Sequence, residues 1–205
     1  MKLDDLNEII KNRTPKPEGV YQYFSVLVPI IEINDELHLL FEVRSETLKT
    51  QPREICFPGG RMEPDETHLA CAVRETCEEL NLSSDKINVM GPMDFLVLPY
   101  NLILYPFLGF INCKDVGSIP FNKDEVAEIF TVPLEYFLEN PPLSHPIEIQ
   151  TRIDPDFPFH LIQQGADYHW KSGKYPVYFY SYENYVIWGI TARIIKNLVE
   201  LITEE

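Results

Sequence analysis

Pro58-Gly59-Gly60-Arg61-Met62-Glu63-Pro64-Asp65-Glu66, followed by Arg74-Glu75-Thr76-Cys77-Glu78-Glu79-Leu80-Asn81-Leu82, sets a glycine turn ahead of a segment with closely spaced acids. Carboxylates three and four residues apart on a helix are neighbours, and each like-charge pair there costs roughly 0.2–0.5 kcal/mol. Glu75, Glu78 and Glu79 therefore repel one another if this segment is helical, and a bound cation offsets that repulsion. Hard divalent ions such as Mg2+ and Mn2+ prefer oxygen ligands of this kind. The stretch predicts a metal-dependent enzyme.

Asp65 is placed to cap the helix, with Glu66 in a first turn where the helix dipole favours negative charge. Leu69, Ala72, Val73, Thr76 and Leu80 form a largely apolar stripe at helical spacing. At about 100° per residue the acids fall on the opposite side. Such a helix packs on a sheet and presents its acids to a cleft. Upstream, residues 3–12 have helical spacing, and Pro15 and Pro17 mark a linker. Residues 20–33 and 38–43 read as strands joined by an Asn34-Asp35 turn, and 55–57 as a short strand entering the glycine turn. Downstream, 87–98 and 103–111 read as strands broken at Pro99-Tyr100-Asn101, 125–132 as a strand and 133–138 as a short helix. Residues 144–173 are turn-rich, 175–182 strand-like, and 188–202 an amphipathic helix. The order predicts an α+β protein with one domain over residues 1–205, of which 1–18 are a helix and linker. The long 144–173 insert suits a lid or a homodimer arm.

The formal charge of −15 on 205 residues argues against a nucleic-acid binder, which carries a basic face. An anionic substrate must then be met by local cations, which draws attention to the arginines near the glycine turn. Cys56, Cys71, Cys77 and Cys113 have neither CxxC nor secreted disulfide spacing, and read as free thiols of a reducing compartment. His38, His68, His145, His160 and His169 lack zinc spacing. With no signal core, no membrane-length apolar run and no lipidation signal, the expectation is a cytoplasmic protein without a membrane partner. Tyr168, Trp170 and Tyr175 read as surface-loop packing rather than as a stack for a base.

The spacing of Gly60, Glu66, Arg74-Glu75 and Glu78-Glu79, with five, seven and two residues between, resembles the Nudix box of the Nudix hydrolases. Thr76 stands where the family has an aliphatic residue, and Asn81 replaces the usual glycine while still suiting a left-handed helix end. The resemblance implies an α/β/α sandwich with a mixed central sheet, the box forming strand, loop and helix. It also implies hydrolysis of a diphosphate linkage with Mg2+ or Mn2+. By the same resemblance Glu75, Glu78 and Glu79 hold metal, with the Gly60 carbonyl as a further ligand, while Glu66 and Arg74 orient the carboxylates. The general base is Glu75, Glu79, or Glu125 of the later stretch Asn122-Lys123-Asp124-Glu125-Val126.

Leu39-Leu40-Phe41-Glu42-Val43-Arg44-Ser45, then Lys49 and Phe57-Pro58-Gly59-Gly60, resembles the added signature of the coenzyme A diphosphatase branch. Lys49 and Gln51-Pro52-Arg53-Glu54 depart from the arginine and His-Pro-Gly-Gln stretch of that branch. Residues 122–134 and 185–192 resemble its later segments. The implied substrate is coenzyme A or an acyl derivative, with Arg44, Ser45, Lys49, Arg53, Phe57 and Arg61 as candidate substrate-binding residues. Two other readings stand beside it: a Nudix hydrolase of ADP-ribose, a nucleotide sugar or another nucleoside diphosphate derivative, and a non-catalytic nucleotide sensor.

Overall fold

The computed structural model describes residues 2–19, 21–99, 101–113 and 115–203. Val20 and Tyr100, which fall in the expected first strand and in the expected break, lie outside the described residues. The chain runs α1 (Leu3–Lys11), β1 (Gln22–Ile33), β2 (Glu36–Arg44), β3 (Ile55–Cys56), β4 (Gly59–Arg61) and α2 (His68–Glu79). It continues through β5 (Ile87–Pro92), β6 (Leu96–Leu98), β7 (Leu102–Ile111), β8 (Val126–Pro133) and α3 (Leu134–Glu139). The last elements are β9 (Leu143–Ile149), β10 (Gly173–Tyr182), β11 (Tyr185–Trp188) and α4 (Gly189–Thr203).

Asn34 and Asp35, at φ 53° and 67°, turn β1 back onto β2 in antiparallel register from Ile30↔Leu39 to Ile33↔Glu36. On its other side β1 pairs in parallel with β7, from Gln22↔Leu102 to Ile30↔Phe110. The remaining pairs, β2 with β3 and β8, β1 with β4, and β7 with β5 and β6, are antiparallel. The sheet is therefore mixed, as expected. Its central strands are buried on both faces, so apolar residues run on along them instead of alternating. Leu27, Ile31, Leu40 and Leu80 close the face toward α2. Val28, Ile30, Leu39 and Phe41 pack with Phe137 of α3 and Ile195 and Leu198 of α4 on the other. These two layers make the sandwich.

Several local expectations change. The alternation over 87–98 belongs to two strands, because β5 takes the β7 edge from Phe107 to Ile111 and β6 takes it from Leu102 to Leu104. Residues 144–149 are not turn: they continue β9, which pairs with β10 from Phe179↔Leu143 to Gly173↔Ile149 in a second sheet with β11. Every β9 residue is exposed, so no buried face imposed an alternation that could be read. The rest of the insert carries two short 3-10 turns. There Trp170 packs edge-on against Phe157 and Tyr168, at 5.5 and 4.9 Å between ring centres.

Thr67, not Asp65, caps α2: its hydroxyl accepts from the Ala70 N–H at 3.1 Å. Asp65, at φ 65°, is a turn residue. The face of α2 that meets β1 and β4 centres on Ala72 and Thr76 and includes Cys71 and Glu79. Leu69 is left exposed, and one acid of the expected outer face is carried inward. Thr76 is fully buried, with its hydroxyl donating to the Ala72 carbonyl at 2.7 Å. Asn81 takes the left-handed conformation expected of it, at φ 48°.

Candidate active site

The glycine turn is held by the sheet. Gly59, Gly60 and Arg61 pair with Val26, Ser25 and Phe24 of β1, which brings this backbone alongside α2. An ideal Cβ on Gly60 falls inside contact distance of the Glu75 carboxylate, so only glycine leaves that carboxylate its place. The Gly60 carbonyl accepts from the buried Cys71 thiol at 3.6 Å.

Arg74 organises the acids. Its Nε and Nη2 donate to the two carboxylate oxygens of Glu66, at 2.9 and 3.1 Å, a bidentate pairing. Its Nη1 donates to Glu75 at 2.9 Å and to Glu78 at 3.3 Å. Arg74 holds Glu66 below the usual carboxylate range. Glu75 is pushed up by burial, against the pull of Arg74. Glu78 stays 56% exposed at the side chain. Glu66 thus anchors Arg74 from the loop rather than from the first turn of the helix, and Arg74 in turn bonds Glu75 and Glu78.

Glu79 points the other way. It is 5% exposed, and one of its oxygens accepts from the Gly59 N–H at 2.8 Å. Its largest charge neighbour is Glu42, an acid of β2 that sequence reasoning did not include. Glu42 is 1% exposed; its Oε1 accepts from the Cys56 thiol at 3.2 Å, and its Oε2 has no hydrogen-bond partner. A charged residue inside the run Leu39-Leu40-Phe41-Glu42-Val43 was the signal available, since an acid is almost never fully buried without a reason. Glu125 is exposed at the start of β8, near enough to raise the proton affinity of Glu42, Glu75 and Glu79. Its loop is fixed to both sides of the site: the Glu125 carbonyl accepts from the Ser45 N–H and the Glu79 carbonyl from the Asn122 N–H, each at 2.8 Å.

Burial pushes Glu42 up to about 7 from an ordinary 4.5, and burial followed by repulsion from Glu42 pushes Glu79 up to about 9. The folded chain therefore binds these protons more tightly than the unfolded chain, and the stability they lend is lost as pH rises. In chelator-treated protein the urea midpoint should fall between pH about 5 and 9, as this pair ionises. A midpoint that climbs over that window would contradict the burial of the pair.

The expected substrate-binding residues divide. Phe57 is a correction: at 3% exposure it stacks on Phe41, 4.9 Å between ring centres, and belongs to the core because β3 pairs with β2 and leaves the next residue packed in the Phe41 cluster. Ser45 is a second: it is buried, with its hydroxyl shared with Thr47 at 2.9 Å, and it ties the loop after β2. Arg44 is half-buried behind Glu42, and its Nε has no partner. Lys49 and Arg61 are exposed, and Arg53 is exposed but paired with Glu46 at 2.6 Å. A cavity of about 570 Å³ beside β3 and β11 is lined by Arg53, Tyr185 and Trp188, but also by Glu54, Glu128 and Glu183. Three acids against one arginine make it a poor place for a phosphate.

Among the described residues, no three acid, histidine or cysteine side chains already share one ligating centre. Arg74 and the Gly59 N–H instead hold the carboxylates. The donor set is nonetheless all oxygen, crowded with acids and includes an orphaned buried carboxylate oxygen, which fits a hard divalent ion.

The NUDIX domain model matches residues 24–149. The chain is 34% identical over 183 residues, 89% of its own length and 71% of the relative's, to a Mus musculus protein named peroxisomal coenzyme A diphosphatase NUDT7. It is 31% identical over 180 residues, 87% of its length and 84% of the relative's, to a Photorhabdus laumondii protein named Nudix hydrolase NudL. Its fold matches the crystal structure of a MutT/nudix family protein from Enterococcus faecalis with a TM-score of 0.52 at 14% identity, covering 98% of this chain and 70% of that one.

Proposed function

The chain belongs to the Nudix hydrolase family, and from that premise we propose that it hydrolyses the diphosphate bond of coenzyme A or an acyl-coenzyme A. The observation that carries the reading is the set of carboxylates gathered around Gly59 and Gly60, in register with the box. Glu75, Glu78 and Glu79 hold Mg2+ or Mn2+, with the Gly60 carbonyl beside them. The chemistry such an ion supplies is neutralisation of phosphoryl oxygens and acidification of a bound water. Glu66 and Arg74 fix the carboxylates. Glu125, an exposed acid whose charge is felt by Glu42, Glu75 and Glu79, takes the proton from the attacking water. The water oxygen bonds to one phosphorus, the bridging P–O bond breaks, and the products are adenosine 3′,5′-bisphosphate and an (acyl-)4′-phosphopantetheine.

Support for coenzyme A comes from the stretch between Arg44 and Gly60 and from a likeness to the mouse relative that spans most of both chains. Arg44, Lys49, Arg53 and Arg61 are the cations available to its phosphates. The proposal takes residues 1–205 as one domain and the 144–173 segment, with its exposed β9, as a lid or dimer arm. It places the protein in the cytoplasm. Among the described residues no helix is long and apolar enough to cross a membrane, and imaging of a tagged chain separates cytoplasm from peroxisome.

Incubation with Mg2+ or Mn2+ and coenzyme A, ADP-ribose or NADH, read by chromatography, tests the substrate. Adenosine 3′,5′-bisphosphate is the expected product. Cleavage of ADP-ribose or NADH but not coenzyme A transfers the assignment to those compounds, and no turnover of any of them leaves a sensor.

A further inference from the structure

β2 carries an acid into the site that neither the box nor its glycine turn supplies. Along this strand Leu39, Phe41 and Val43 face the α4 layer, and Leu40 packs toward α2. Strand alternation therefore sends Glu42 to the α2 side, opposite Glu79. The charged groups acting on it are Glu75 and Glu125, which repel it, and Arg44, which attracts it; on the other side it acts on Glu79. Arg44 does not neutralise it directly: no ion pair joins them among the described residues, and the Arg44 Nε is itself without a partner. The Cys56 thiol, a weak donor, occupies Oε1. Oε2 is buried, unpartnered and set among acids. Buried polar atoms are nearly always bonded, and an exception calls for an explanation such as an ion.

We propose that Glu42 is a further oxygen ligand for the divalent cation, approaching from the sheet while the box acids approach from the helix. This rests on the reading of Glu75, Glu78 and Glu79 as the metal site. It gives this chain a metal centre clamped between β2 and α2, so that metal binding also fastens the helix to the sheet.

The test measures Mn2+ binding to the full chain without substrate, by calorimetry or by the spin-resonance signal of free Mn2+, alongside melting temperatures with and without the ion. Glu42→Gln keeps the shape of the side chain and removes its charge. It should weaken Mn2+ roughly 10-fold or more, leave the metal-free melting temperature equal or higher, and shrink the rise that Mn2+ produces. Wild-type affinity in Glu42→Gln, with Glu78→Gln weakened, overturns this inference alone. Failure of the wild-type chain to bind Mn2+ overturns the metal site as a whole. If Glu42→Gln does not fold, Glu42→Thr, smaller and still able to accept from Cys56, is expected to show the same loss, and wild-type affinity there overturns the proposal equally.

Discussion

Glu78→Gln is expected to lower metal-dependent turnover by roughly 10²–10³-fold, the effect of removing one group that stabilises transition-state charge. Glu78 is the most exposed of the three box acids, and its carboxylate accepts from Arg74 at 3.3 Å. Exposed substitutions of this kind usually change stability by no more than about 0.5 kcal/mol. The melting temperature of the metal-free chain should therefore stay where it is. Glutamine keeps length and shape, so a loss of kcat/KM reports the missing charge rather than a void. Full activity in this variant removes Glu78 from the metal site and, with it, the reading of the box acids as ligands.

Gly60→Ala should be nearly as damaging, for a steric reason. The new Cβ would occupy the space of the Glu75 carboxylate. The backbone there cannot yield, because Gly60 pairs with Ser25 of β1. Glu75 must swing away and give up its 2.9 Å bond to Arg74. Misplacing a catalytic group by about 1 Å can cost around 10²-fold in rate. The atoms met are the far end of a flexible side chain, so the melting temperature should change little. Steady-state kinetics and a melting curve check both. Because the rate loss acts through Glu75, Gly60→Ala should add little further loss in a Glu75→Gln background. Additive losses would place the effect of Gly60 elsewhere.

The parts of the site legible in the sequence share a physical character: each depends on positions a few residues apart. The Arg74 contact to Glu78, four residues on, follows from helical periodicity, and the Asn81 conformation follows from the local sterics of a helix end. The Asn34-Asp35 hairpin is local in the same sense. Near misses came where local cues compete. Asp65 and Thr67 are both good caps, and hydrogen bonding chose Thr67. Ser45 and Phe57 looked available to a substrate, yet a loop tie and an aromatic stack took them inside.

By itself, then, the sequence carried the box whose resemblance implied the family and the mixed α/β/α architecture, and its short-range spacing placed the helix that carries the acids. Only the tertiary structure decided which acid faces inward, which strand brings Glu42 near Glu79, and that the charge of Glu125 is felt by both. Those facts depend on strand pairing between residues far apart in the chain. Burial then changes what each carboxylate can do: the same residue type is exposed and bonded to Arg74 at position 78, and buried, with its proton affinity raised by desolvation, at position 42.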